Sequence, residues 1–166
     1  MPRFTPETAI IATELQQIVA EFASDLDFND GMNICDFYAT DGEFAVGDFT
    51  HKGHAAIHKF YADRKERMLP TLKDGIRVAA HTFLNVRVSV ESQDRAVVHF
   101  TNVNYGGEGK PPQLGTITPA MVTACRMDFR READGEWRIT RFSGSPLFVG
   151  DDPVSKRMLL KSGGKS

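Results

Sequence analysis

The sequence carries no excess of positive charge. Its 20 lysines and arginines are outnumbered by 22 aspartates and glutamates, for a formal net charge of -2. A chain without a basic excess has little to set against a phosphate backbone, so nucleic acid is not an expected partner. Long apolar runs are also missing: nothing approaches the roughly 18 residues that a membrane helix needs, so no membrane partner is expected. The opening residues Met1-Pro2-Arg3-Phe4-Thr5-Pro6-Glu7 lack the apolar stretch of a signal peptide. Cysteine is scarce. Cys35 and Cys125 stand far apart with no motif spacing, which suggests reduced thiols and a cytoplasmic protein. There is no Gly-x-Ser-x-Gly, no phosphate loop and no dinucleotide fingerprint, so no cofactor is expected.

What the chain does have is enough apolar material, 41% of 166 residues, for one globular domain with a core and a single pocket. That domain is expected over residues 1–150, with 151–166 as a C-terminal tail. Ile11, Leu15, Ile18, Val19, Phe22 and Leu26 recur at helical spacing behind a Thr5-Pro6-Glu7 start, predicting a helix over about 6–26. A short second helix is expected over 31–38, and a third over 53–68, ended by Pro70. Asp41-Gly42 reads as a turn into a short strand, 43–46.

From there the pattern changes to strands: 77–91, 95–105, 119–131 and 136–143, with a glycine- and proline-rich loop over 106–118 and a hairpin turn at Asp134-Gly135. Helices first and consecutive strands after predict an α+β fold, with three N-terminal helices closing a cone-shaped, curved antiparallel sheet. The hollow of such a cone suits an apolar ligand bearing a few polar groups.

His81 stands in the middle of the first long strand. Its unperturbed pKa, about 6.5, lets imidazole take or give a proton near neutrality. Ala79, His81 and Phe83 share one face of that strand, whereas Val86, Val88 and Val90 share the other. If both sets face the core, the strand must carry a bulge near Leu84-Asn85. Asn102 and Asn104 share a face of the next strand, where a buried amide could orient a substrate carbonyl, while His99 lies on the opposite face. Tyr38 is a second hydrogen-bond donor candidate beside its plainer role as a packed core residue. His54 and His58 are four apart on a helix, but no carboxylate completes a metal motif, so no metal is expected.

Four stretches in order carry a family resemblance: Asp36-Phe37-Tyr38-Ala39-Thr40-Asp41-Gly42-Glu43-Phe44, Lys52-Gly53-His54-Ala55-Ala56-Ile57, His81-Thr82-Phe83-Leu84-Asn85-Val86-Arg87-Val88, and Asp134-Gly135-Glu136-Trp137-Arg138-Ile139. Over about residues 8–148 the chain resembles the SnoaL-like group of the nuclear transport factor two-like superfamily, which implies a cystatin-like α+β barrel. Within it, the branch of scytalone dehydratase and hexachlorocyclohexane dehydrochlorinase pairs an aspartate at the end of helix one with a histidine on the long strand. Those positions fall on Asp27 and His81. Leu26 replaces a tyrosine of scytalone dehydratase, and no second pocket histidine follows residue 105, which argues against scytalone dehydratase itself.

The resemblance thus implies a cofactor-free lyase of the dehydratase or elimination type. Asp27 and His81 would be its catalytic pair, and Tyr38, Phe44, Tyr61, Phe83, Asn102, Met121 and Phe142 would line the pocket around a hydrophobic, ring-bearing ligand. Plainer roles stand beside this, with Asp27 as a helix cap and His81 as a satisfied core histidine. Two other functions also stay open. One is a non-catalytic ligand-binding or assembly module, like the small subunit of a ring-hydroxylating dioxygenase. The other is an isomerase or polyketide cyclase. The resemblance further implies a homodimer or higher homo-oligomer formed through the open sheet face, where Val122, Ala124 and Val98 are expected.

Overall fold

The computed structural model describes residues 4–150; the expected tail, 151–166, lies outside them. Helix α1 spans Pro6–Phe28. Its start is a reciprocal cap: the Thr8 backbone N–H donates to the Thr5 hydroxyl, and the Thr5 N–H donates to that of Thr8. Ile11, Leu15, Val19, Phe22 and Leu26 form its buried stripe. The helix stops where Asp30 and Gly31 both take positive φ, 57° and 78°. Only a single 3₁₀ turn, Ile34–Phe37, follows before the first strand, so the described residues form two α-helices rather than the expected three. Gly31 also has no room for a side chain, because a Cβ there would lie 2.5 Å from the Tyr61 ring.

Strand β1 (Tyr38–Val46) continues through Asp41-Gly42 rather than starting after a turn there, although its register against the last strand slips between Tyr38 and Glu43. Gly42 serves close approach instead: a Cβ there would sit 2.9 Å from the Ile139 carbonyl and from the Tyr38 ring. A short strand β2 (Phe49–Lys52) folds back on β1, and helix α2 (Gly53–Met68) packs over both. The remaining strands are β3 (Arg77–Val90), β4 (Arg95–Glu108), β5 (Met121–Arg131) and β6 (Trp137–Val149).

The sheet order is β2-β1-β6-β5-β4-β3. It is curved but not closed, so β3 remains an edge strand. It is also mixed, since β1 joins β6 in parallel while every other neighbour is antiparallel. The core lies between α1 and the concave face, with Phe22, Val98, Phe100, Met127, Phe129, Trp137 and Ile139 at its centre. Val98 is fully buried, paired between Val88 and Met127, and so does not belong to the outer face where it was expected. Among the described residues no helix is long and apolar enough to cross a membrane.

The parity conflict in β3 resolves as a bulge. The β3–β4 register slips between Leu84 and Arg87, and Asn85 adopts φ 55°. Ala79, His81 and Phe83 before the slip, and Val86, Val88 and Val90 after it, all turn to the interior. Asparagine tolerates the left-handed region better than β-branched residues do. Asn85→Val is therefore expected to lower the unfolding free energy by about 1–2 kcal/mol, and Asn85→Gly to leave it nearly unchanged. Urea unfolding of the two variants checks this.

Candidate functional site

Asp27 lies in the last turn of α1, where a negative side chain opposes the helix dipole. Its partner is on β3. The Asp27 carboxylate accepts the His81 backbone N–H at 2.9 and 3.1 Å and the His81 Nδ1–H at 2.5 Å. Both side chains are close to fully buried, with 8% of His81 and 12% of Asp27 exposed. Because a carboxylate only accepts, this contact places a ring proton on Nδ1, so that in the neutral imidazole Nε2 carries the lone pair. Among the described residues Nε2 has no hydrogen-bond partner.

The cross-strand register places the neighbours. His81 pairs with Asn104, which pairs with Met121; Phe83 pairs with Asn102, which pairs with Thr123. Oδ1 of Asn102 and Oδ1 of Asn104 are buried without a hydrogen-bond partner. A buried amide in that state costs free energy unless a ligand or water satisfies it. The structure thus gathers His81, Phe83, Asn102, Asn104 and Met121 on one stretch of the inner sheet face, with Asp27 of α1 bonded to His81. The His81 and Phe83 rings meet edge to face at 6.5 Å, and Phe83 lies 4.4 Å from Phe100.

The remaining lining candidates sit deeper. Phe44 packs on Phe142 at 5.4 Å and on Tyr61 at 5.8 Å, while Phe22 stacks on Phe142 at 5.8 Å and approaches Tyr38 at 6.2 Å. Each of these residues is buried in the main core cluster. Among the described residues Tyr38, Phe44 and Tyr61 share no ring contact or hydrogen bond with His81; Phe22, beside Phe83, joins the two regions. The Tyr38 hydroxyl is buried and unpartnered. Burial pushes its pKa well above the ordinary tyrosine value, and pushes that of Tyr61 up to about 12, so both phenols stay neutral near pH 7.

Of the two histidines considered for a metal, His54 is engaged elsewhere and His58 is exposed. His54 Nε2–H donates to the Tyr38 carbonyl at 2.9 Å, and His51 stacks among Phe44 and Phe60. No group of three or more metal-ligating side chains occurs among the described residues. Cys35 and Cys125 are free thiols, and burial pushes that of Cys125 up to about 12.

One residue beside the pair gave no sequence signal. Arg77 opens β3, four residues before His81, and its guanidinium donates to the Leu26 carbonyl at 2.9 Å and to Asp30 at 3.3 Å.

A helix-covered, curved sheet of this order is the fold of the cystatin-like, nuclear transport factor two-like proteins. The chain belongs to the SnoaL-like domain family, whose model matches residues 8–143. Among solved structures it is similar to a nuclear transport factor two-like protein with a cystatin-like fold from Novosphingobium aromaticivorans, at 27% identity and TM-score 0.66, over 89% of this chain and 87% of that one. A candidate scytalone dehydratase of the same organism matches at 16% identity and TM-score 0.69, over 90% and 92% of the two chains. A Catenulispora acidiphila protein in complex with S-DNPA matches at 17% identity and TM-score 0.67, over 92% and 98%. The last two likenesses are of fold alone. No curated protein matches the chain in sequence.

Proposed function

We propose that the chain is a cofactor-free lyase of the elimination type, acting on a hydrophobic, ring-bearing small molecule with His81 as general base. One observation carries this reading: Asp27 holds Nδ1 while Nε2 is left without a partner on the inner wall. In this scheme Nε2 takes the proton on the carbon next to a carbonyl. The C–H electron pair forms the new double bond, and a hydroxyl on the adjacent carbon leaves as water, with the proton returned by the imidazolium. Asp27 stabilises that imidazolium and fixes its orientation, the base-and-orienter half of a hydrolase triad. The amides of Asn102 and Asn104 donate to the carbonyl oxygen as charge develops on it. Tyr38, the other donor considered, has its ring neighbours in the deep core instead.

The similarity to a candidate scytalone dehydratase, and to a fold that holds a small molecule in a Catenulispora protein, supports a small-molecule site. The non-catalytic alternative draws on the surface. Phe148 is 69% exposed beside Val122 on the outer face, and Leu84 is 45% exposed at the bulge, which favours self-association through the open sheet.

Proton exchange separates the two readings before any substrate is known. In D₂O the protein should speed deuterium entry next to the carbonyl of 2-tetralone or 3-hydroxycyclohexanone. His81→Gln should lose that acceleration by about 10²–10⁴-fold. Equal rates for wild type and His81→Gln, or none above buffer, would remove the base from the account.

A further inference from the structure

We infer that Arg77 is a positioning residue for the Asp27–His81 pair, acting through the end of helix α1. This rests on the proposed role of the pair, although its test does not require turnover.

The last turns of α1 and the residues after it concentrate negative charge: Asp25, Asp27 and Asp30 fall within six positions, at the helix end whose dipole is itself negative. No basic residue occupies the last turn of the helix. Left alone, this segment would push its carboxylates apart and fray. The compensating cations come from elsewhere in the fold. Arg64 and Lys65, both on α2, reach it: Arg64 donates to the Asp30 carbonyl at 2.9 Å, and Lys65 pairs with the Asp30 carboxylate at 3.2 Å. Arg77 is an enclosed contact as well, with only 9% of its side chain exposed.

The distinguishing feature of Arg77 is its strand. It shares β3 with His81, and it holds the carbonyl of Leu26, the group joined by one peptide bond to Asp27. The helix end is therefore attached to β3 at two points. At one, the guanidinium holds Leu26 and Asp30; at the other, the Asp27 carboxylate holds the backbone and ring of His81. Two attachments to one strand fix both the position and the rotation of the last helical turn. One attachment would leave the carboxylate free to swing about the other. Because a single nitrogen of Arg77 makes both bonds, an ammonium of similar reach can substitute, whereas an apolar side chain of similar length cannot.

The test reads the His81 ring directly, by NMR of protein labelled with ¹⁵N-histidine. In the wild type the Nδ1 proton, bonded to a carboxylate, should appear far downfield and exchange slowly with water. Asp27→Asn removes the carboxylate and so identifies that signal. Arg77→Met should raise its exchange rate by about tenfold or more, and Arg77→Lys should restore most of the protection. Asp30→Asn, which loosens the same attachment while leaving Arg77 in place, should give an intermediate rate and guards against misfolding of the methionine variant. Val19→Ala, a core variant away from this end, controls for general loss of stability. Wild-type exchange in Arg77→Met and Asp30→Asn, or an equal rise in Val19→Ala, would overturn the inference. If instead His81→Gln keeps proton-exchange activity while Arg77→Met deprotects the ring, the catalytic reading fails and the positioning role stands.

Discussion

Asp27→Asn is expected to lower proton abstraction by about 10²–10⁴-fold while the protein stays folded. The reason is a change of tautomer rather than a loss of shape. The carboxylate can only accept, so it places the ring proton on Nδ1. An asparagine amide can donate to Nδ1 instead, which moves the ring proton to Nε2 and removes the lone pair that the proposed mechanism uses. The backbone N–H of His81 can still find the amide oxygen, so the contact between α1 and β3 survives in part. The check pairs deuterium exchange, or turnover once a substrate is found, with urea unfolding of the same variant. A rate within threefold of wild type would end the claim that this carboxylate orients a base.

The largest expected effect on stability belongs to Phe22→Ala. Phe22 is 1% exposed and meets four rings, those of Phe37, Tyr38, Phe83 and Phe142. Truncation removes its buried area and leaves a cavity between α1 and the sheet that rigid neighbours fill poorly, at a cost of about 3–5 kcal/mol. Against a total of about 5–15 kcal/mol, that is a large fraction of the folding free energy. Phe28, only six residues later, is 87% exposed. Its replacement by serine should change stability by no more than about 0.5 kcal/mol. Denaturant midpoints of the two variants decide the matter, and comparable losses would show that the concave face does not hold the helix as described.

The contrast between those phenylalanines shows what the sequence exposes to reading and what it hides. Helical spacing identified the buried stripe of α1, Phe22 included, because a 3.6-residue period is a local property. The bulge in β3 was legible for the same reason: two apolar sets of opposite parity in one strand cannot both be buried without a slip. The apolar character of Met32, Ile34, Cys35 and Phe37 suggests a second helix that does not form, because the positive φ of Asp30 and Gly31 uses up the residues a helix would need. Asp41-Gly42 has the composition of a turn, yet the glycine is there for the nearness of β6, a tertiary fact. Strand β2 was invisible, since four mostly exposed residues carry no alternation to detect.

The site divides along the same line. His81, Phe83, Asn102 and Met121 come together through strand register, which parity and order suggest. Asp27 lies 54 positions from His81, and no local pattern links them; it entered through family resemblance. Arg77 had neither kind of signal, because it holds a main-chain carbonyl, which leaves no trace in a list of side chains, and a carboxylate 47 positions away.

The position of β3 at the margin of the sheet has a further consequence. A marginal strand offers unsatisfied backbone groups to any other chain that can lie alongside it, the first step toward fibrous aggregates. In this protein the carboxylate of Asp27 occupies one of those groups, the backbone N–H of His81, and the end of α1 lies across the strand there. The acid that binds the imidazole therefore also covers a point of strand addition, and its loss is expected to lower solubility.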